Sequence, residues 1–348
     1  MLKSTGNDQA VGAAPPPVPP LFQMAQLLGG FQVSQALYVI AKLDVATKLA
    51  DGPRDLTTLA RETGAHEESL GRLIRTLAPL GLFQDAGGDK VTVTPLGEFL
   101  SATHPMSLRP AALFWMETHY LPFAGLLDTV RTGVPAAETH YGKPFFDWVV
   151  EDPERVALTN SAMAGVVASV RAGMFEDYVL PAGRTVADLG GADGSVLAEL
   201  LSRNPDHSGI VFDLPEVVKA AHGVLASRGL TDRVEVVGGS FFEEVPTADV
   251  YVLAYILHDW SDEESGRILA AIRKAARPGA RLLVIESVVP EGDEPHMAKM
   301  VDLTMLGMLS GKERTEREYE RLLGDAGFSL DRVVATPSPL SILETTLL

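Results

Sequence analysis

The sequence predicts an α/β chain in two parts: a mostly helical N-terminal region, then a C-terminal region with a parallel sheet covered on both faces. Three observations predict it. The 348 residues allow two domains at roughly 100–200 residues each. A composition of 46% hydrophobic and 22% charged residues with no cysteine suits ordinary cores without disulfides or thiolate metal sites. Near residue 184 the hydrophobic period changes from helical spacing to short β-rich runs alternating with helices. The charge balance, 29 Lys and Arg against 46 Asp and Glu, is −17. That argues against a sequence-independent hold on nucleic acid or anionic lipid, which needs clustered cations. The longest apolar stretches, such as residues 250–257, fall far short of the ~20 residues that span a bilayer, and the N-terminus lacks a signal-peptide core. A cytoplasmic protein with a neutral or small partner is expected.

Residues 1–20 are small, polar and then proline-rich, and read as a loose tail. Residues 21–50 read as continuous helix, very apolar, with Leu27, Leu28, Phe31, Val33, Leu37 and Ile40 leaving little polar face. Such a helix is buried, within a domain or against a second subunit. Residues 55–83 read as helix, turn, helix: Leu56, Leu59 and Ala60 share a face, Gly64 breaks the chain, and Leu70, Leu73, Ile74 and Leu77 repeat at i, i+3, i+4, i+7. A small hairpin follows, with Val91, Thr92, Val93 and Thr94 alternating in its second strand. This is a winged-helix pattern, a DNA-binding fold in many proteins. Residues 21–105 carry seven Lys and Arg against nine Asp and Glu, a balance of −2, and Glu67 and Glu68 sit on the presumed recognition helix. The basic stripe of a DNA reader is missing. Residues 106–180 read as a helical linker rich in Met and aromatic side chains, among them Phe114, Trp115, His119, Tyr141, Phe145, Trp148 and Met163. They suit either core packing or a pocket for a flat apolar ligand.

From residue 181 to the end, strands alternate with helices, and ligands in such sheets sit beyond the carboxyl ends of the strands. The first strand runs into Asp188-Leu189-Gly190-Gly191-Ala192-Asp193-Gly194-Ser195, where glycines let the backbone turn tightly and a ligand approach the peptide groups. The next strand ends in Asp213, 19 residues after Gly194, where an acid can accept from both ribose hydroxyls. The loop lacks the G-x-G-x-x-G spacing of dinucleotide binders, and Asp188 inside it suits a ligand carrying an ammonium group. S-adenosylmethionine, with adenosine, sulfonium and amino-acid tail, matches both acids. The arrangement resembles the first motif of class I methyltransferases, and so a Rossmann-like S-adenosylmethionine domain.

His258 falls just past a later strand end, and Ser261 with Glu264 forms a capping box that fixes the next helix start. A histidine, with an unperturbed pKa near ~6.5, can take a proton at neutral pH. Glu286 ends the strand at 281–285 and Glu313 precedes another helix; a buried carboxylate beside an imidazole would orient it. Read alone, either glutamate is more often a solvated surface charge. No convincing metal-ligand cluster is visible in the sequence.

The string Ile256-Leu257-His258-Asp259-Trp260, the Gly-Gly turn at 190–191, Gly238-Gly239-Ser240-Phe241-Phe242, the Glu286 strand end, Lys312-Glu313-Arg314-Thr315 and Ala326-Gly327-Phe328 together resemble the caffeate and flavonoid-type O-methyltransferases. They are closer still to bacterial relatives that decorate aromatic polyketides and antibiotics. The resemblance runs from about residue 21 to the end. It implies that the winged-helix region, residues 21–105, is a dimerisation domain making a homodimer, and that residues 181–348 bind S-adenosylmethionine and release S-adenosylhomocysteine. By matching position it implies that His258 is the general base, flanked by Glu286 and Glu313. Asp188, Gly190, Gly191, Asp213, Leu214, Gly239, Ser240 and Phe241 would line the donor site, Phe241 against the adenine. Met163 would pack on the acceptor ring, with Asn160, Phe114, Trp115, Met305 and Asp259 around the acceptor. Three positions depart from the family pattern, which has Asp-Met at Ser240-Phe241, Lys at Ala254 and Gly at Ala192. The first two changes weaken the expected polar contacts to adenosine.

The implied reaction is metal-free methylation of a phenolic hydroxyl. A phenol, with pKa near ~10, becomes a good nucleophile only when its proton is removed. Two other readings stand beside it: a relative that keeps S-adenosylmethionine for hydroxylation or decarboxylation of a polyketide, and a winged-helix regulator that senses a ligand.

Overall fold

A computed structural model describes residues 18–348, without the side chains of residues 167–169. The tail expected at 1–20 lies almost wholly outside the described residues, since the first helix, α1 (Pro20–Leu28), already includes Pro20. The continuous helix expected over 21–50 is three: α1, α2 (Gly30–Lys42) and α3 (Val45–Leu49). The first break falls at Gly29 and the second at Leu43-Asp44, where Asp44 adopts left-handed backbone at φ 58°. Burial also differs by helix. α2 and α3 bury Ala36, Ile40, Val45 and Leu49, whereas α1 buries nothing and exposes Leu21, Phe22, Met24, Leu27 and Leu28.

Strand β1 (Arg54–Asp55) leads into α4 (Leu56–Thr63), whose N-cap Asp55 accepts from the Thr58 N–H at 2.8 Å and whose end is Gly64 in left-handed backbone. Then α5 (Glu67–Leu77) buries Leu70, Ile74 and Leu77, the face its spacing predicts. The wing is β2 (Phe83–Gly87) with β3 (Lys90–Val93), and β1 pairs to β3 to complete a three-stranded sheet. The middle of the chain is helical: α6 (Pro95–Glu98), α7 (Arg109–Phe114), a π-helical turn at Trp115–His119, α8 (Leu126–Thr132), α9 (Ala136–Tyr141), α10 (Phe145–Val150) and the long α11 (Pro153–Arg171).

The C-terminal domain holds β4 (Thr185–Leu189), α12 (Ser195–Arg203), β5 (Ser208–Asp213), α13 (Ala221–Ser227), β6 (Val234–Gly238), β7 (Val250–Ala254), α14 (Asp262–Ala275) and β8 (Arg281–Glu286). After these come α15 (Met297–Met308), α16 (Glu316–Asp325), β9 (Phe328–Ala335) and β10 (Ser341–Leu347). The seven strands stand in the order β6-β5-β4-β7-β8-β10-β9. β4 to β8 are parallel and run as nearly unbroken apolar residues, as strands covered on both faces do. β9 and β10 are antiparallel, an addition beyond the parallel sheet read from the sequence. One apolar core lies between the sheet and α12 and α13, the other between the sheet and α14 and α16. Chain connections leave β4 toward β5 on one side and β7 toward β8 on the other, so the strand order reverses between β4 and β7. That crevice, at the carboxyl ends, is where such folds place a ligand. Among the described residues no helix is long and apolar enough to cross a membrane.

Candidate active site

The loop after β4 is shaped by what a side chain would meet. Gly190 lies at φ 74°, and a Cβ there would run into Ile256 Cδ1; the Phe241 ring closes on the same spot. Ala192, also in left-handed backbone at φ 45°, donates its N–H to Asp213 Oδ2 at 2.9 Å. The other oxygen of Asp213 accepts from the Leu214 N–H at 2.6 Å. The glycine-rich loop is thus tied to the end of β5, and Asp213 keeps lone pairs for hydroxyl donors. Burial pushes the Asp213 carboxyl above its ordinary range against these two backbone bonds. Asp188 lies beneath Gly191 with Oδ2 buried and unpaired, and burial pushes its pKa up to about 7 against the charge of Arg171. A Cβ at Gly239 would strike the Phe212 ring, and Ser240 turns its hydroxyl to the Phe242 N–H at 3.3 Å. Phe241, Phe242 and Trp260 meet edge to face at 4.8 to 5.9 Å.

His258 sits in a single 3-10 turn, Leu257–Asp259, straight after β7. Arg314, fully buried, fastens that turn: Nη1 donates to the Leu257 carbonyl at 2.6 Å, Nη2 to the Trp260 carbonyl at 2.9 Å, and both Nε and Nη2 to Asp262 Oδ1. Gly311 lies so close that a Cβ would collide with the His258 carbonyl. The 311–314 segment therefore packs on the turn and delivers Glu313. His258 Nδ1 is 2.7 Å from Glu313 Oε1 and 3.8 Å from Glu286 Oε2, while Nε2 is 3.4 Å from Asp259 Oδ1. Glu286 Oε1 accepts from the Ile256 and His258 N–H groups at 3.0 and 3.3 Å, so the glutamate also braces the turn's backbone. Capping boxes at Ser261/Glu264 and Thr315/Glu318 anchor the helices on either side.

Both glutamates are buried rather than solvated. Burial pulls the His258 pKa down, but Glu286, Asp259 and Glu313 outweigh it and raise the imidazole to about 10. Burial in turn raises Glu286 to about 7 and Asp259 to about 6, each opposed by His258. The surrounding carboxylates therefore favour the charged imidazole. The sequence showed no metal-ligand cluster, yet the fold gathers one ligand atom each from His258, Glu286 and Glu313 within 4.8 Å. The 2.7 Å contact has the geometry of an imidazole N–H donating to a carboxylate, which already engages two of those atoms with each other.

The expected acceptor residues divide. Phe114 is buried against His119, Phe145 and Met308, and Met305 is buried in α15. This aromatic cluster reaches the crevice through Phe146, whose ring is 6.0 Å from Trp260. Trp115 and Met163 are exposed and Asn160 is half-buried. Sequence reasoning assigned no role to Arg314, although it lies within the Lys312–Thr315 string. It also passed over Tyr255, left-handed at φ 57° with its ring 6.0 Å from His258, which carries no local signal.

An anchored histidine stands beside a glycine-lined crevice in an α/β fold, and comparison with known proteins identifies the family. The pattern of the O-methyltransferase domain matches residues 123–329, and that of the O-methyltransferase dimerisation domain matches residues 25–103. The chain belongs to the O-methyltransferase family. It is similar to the phenazine O-methyltransferase PhzM of Lysobacter antibioticus, 40% identical over 322 residues, covering 92% of this chain and 94% of that protein. It is also similar to the aclacinomycin 10-hydroxylase RdmB of Streptomyces purpurascens, 35% identical over 337 residues, covering 92% and 88%. Among solved structures, NcsB1 from neocarzinostatin biosynthesis, in complex with S-adenosylmethionine and 2-hydroxy-5-methyl naphthoic acid, matches with TM-score 0.78 and 35% identity over 91% of this chain and 96% of that one. The methyl donor of this family is S-adenosylmethionine. The residues here fit it: the cradle at Gly190, the ribose-type acid Asp213 and the unpaired Asp188 oxygen stand together.

Proposed function

We propose that this enzyme methylates a phenolic hydroxyl of an aromatic small molecule, a polyketide or antibiotic intermediate, with His258 as general base. The observation that carries the proposal is the 2.7 Å bond from His258 Nδ1 to buried Glu313, which fixes the tautomer and leaves Nε2 as the nitrogen that can meet a substrate proton. When bound, the donor supplies an electrophilic methyl on a cationic sulfur. The chain's own residues do the rest. Asp213 and the Gly190 cradle hold the nucleoside end, with Phe241 against the base and Gly191, Leu214, Gly239 and Ser240 around it. Glu313 and Glu286 orient the imidazole and favour the imidazolium formed after proton capture. Their field favours the charged imidazole, and a cation held nearby opposes that field and lowers the His258 pKa. Phe114, Trp115, Met163, Asn160, Met305 and Asp259 are assigned to the acceptor side.

The dimerisation match and the exposed apolar face of α1 support a homodimer formed through residues 21–105, with residues 106–180 contributing to the pocket and 181–348 to catalysis. We assign the enzyme to the cytoplasm and give it no nucleic-acid partner, since α5 exposes Glu67 and Glu68.

The similarity to a hydroxylase makes product mass the decisive measurement. Incubated with S-adenosylmethionine and a panel of hydroxylated aromatic acids, quinones and polyketides, the enzyme should add the mass of one methyl. His258→Ala should bind the donor as before and turn over ~10²–10⁴-fold more slowly. A product heavier by one oxygen, or full turnover in the variant, would refute the proposal.

A further inference from the structure

The aromatic cluster formed by α7, α10 and α15 holds one polar ring that has no part in the proton chemistry above. His119 closes the π-helical turn Trp115–His119, a local widening of the helix that recurs at functional sites. Its imidazole meets Phe114 edge to face at 4.8 Å and Phe145 at 5.5 Å. From Phe145 the rings continue to Phe146 at 5.6 Å, and from Phe146 to Trp260, two residues after His258, at 6.0 Å. Phe114 packs in the same core as Met308, which ends α15 five residues before Glu313. An unbroken wall of rings therefore joins His119 to the turn that carries the base. The wall is pinned from behind: the Tyr141 hydroxyl donates to the Thr118 carbonyl at 2.5 Å, and the Tyr141 ring stacks on Trp148 at 3.9 Å.

The hydrogen bonds at this turn decide which ring nitrogen carries the proton. Thr118 Oγ1 is 2.7 Å from the Phe114 carbonyl and 2.7 Å from His119 Nδ1. A hydroxyl has one proton, and a carbonyl can only accept, so the hydroxyl donates to the carbonyl and Nδ1–H donates to the hydroxyl. Nε2 is left with a lone pair. Burial lowers the imidazole pKa to about 4, which keeps the ring neutral at ordinary pH. Among the described residues no hydrogen bond engages Nε2, yet the atom is not sealed: the fully buried unpaired atoms include both ring nitrogens of His207 and neither of His119, which is 9% exposed. An acceptor left bare in an aromatic wall costs free energy until a donor meets it. The complementary group is an O–H on a flat apolar ligand.

We propose that His119 Nε2 accepts a hydrogen bond from a second hydroxyl of the aromatic acceptor, one that is not methylated, so that the enzyme selects dihydroxylated rings over their monohydroxylated counterparts. The inference rests on the phenol-methylating reading above and adds to it a second polar anchor. Two anchors on one flat molecule fix its rotation in the pocket, and with it which hydroxyl faces His258.

Steady-state kinetics on the full chain test this with matched pairs of acceptors, dihydroxynaphthoic acids and dihydroxyanthraquinones beside the monohydroxy compound that lacks the second hydroxyl. In the wild type kcat/KM should favour the dihydroxy member of at least one pair by about five- to a hundredfold, as expected where a site's acceptor is met or left bare. His119→Phe keeps a flat ring in the wall and removes the lone pair, and should bring that ratio to within about twofold of one. His119→Gln, which can offer an amide oxygen, should recover part of the preference. A wild type that shows no preference in any pair would overturn the inference, whether or not the variants fold. A preference that survives His119→Phe, with both members of the pair slowed alike, would overturn it too and leave His119 a packing residue. No methyl transfer to any phenol would overturn the phenol reading and this inference together, whereas transfer without preference would overturn the role of His119 alone.

Discussion

Glu313→Gln tests the electrostatic assembly around His258 with almost no change of shape. The side chain is buried, its Oε1 is 2.7 Å from His258 Nδ1, and its Oε2 has no partner. The amide removes the negative charge and keeps an oxygen that can accept. A hydrogen bond to a charged group contributes about 1.5–3 kcal/mol, and one pKa unit corresponds to about 1.4 kcal/mol. The imidazole, held at about 10 in the wild type, should therefore titrate roughly one to two units lower in the variant, with Glu286 and Asp259 retaining the remainder. The assay is a nitrogen-15 titration of histidine-labelled protein without ligand, with the His258 signal assigned by its loss in His258→Gln. The same pKa has a stability consequence. A folded pKa above the unfolded value of ~6.5 stabilises fully below that value, and the contribution is lost as pH rises through about 10. Glu313→Gln should thus lower the melting temperature at pH 6 more than at pH 10.5. A midpoint that stays in place, or a melting difference that grows with pH, would refute this account of how the histidine is held.

Two further substitutions address the framework. Arg314→Met removes the donors to the Leu257 and Trp260 carbonyls and one partner of Asp262, and should cost ~1.5–3 kcal/mol in a chemical denaturation series; no measurable loss would remove Arg314 as the fastener of the turn. Gly190→Ala places a Cβ against Ile256 Cδ1 at a backbone angle that disfavours any side chain, and should reduce S-adenosylhomocysteine affinity by about tenfold or more in calorimetry. Wild-type affinity would show that the loop can yield there.

The parts of the site that were legible in the sequence are those fixed by local chemistry. The glycines after β4, Asp213 at the end of β5, and the Ser261/Glu264 box beside His258 all follow from backbone geometry and short-range bonding, and the structure holds each where the spacing put it. The burial of Glu286 and Glu313 was not legible, because it depends on a packing partner 28 to 55 positions away. The break at Asp44 was hidden by an apolar run that reads as one helix. β9 and β10 were hidden by order, since β10 enters the sheet between β8 and β9 and its register is set by non-local pairing. Tyr255 has an unremarkable neighbourhood in the chain, and only the fold gives it left-handed backbone and an unpaired hydroxyl.

That insertion of β10 ties the His258 turn to a distant edge of the sheet. Ser341, the first residue of β10, is the cross-strand partner of Glu286, and Glu286 in turn holds the backbone of the His258 turn. The turn is thus coupled, through one glutamate, to the antiparallel pairing of β10 with β8. A disturbance at that edge has a short covalent and hydrogen-bonded path to the imidazole.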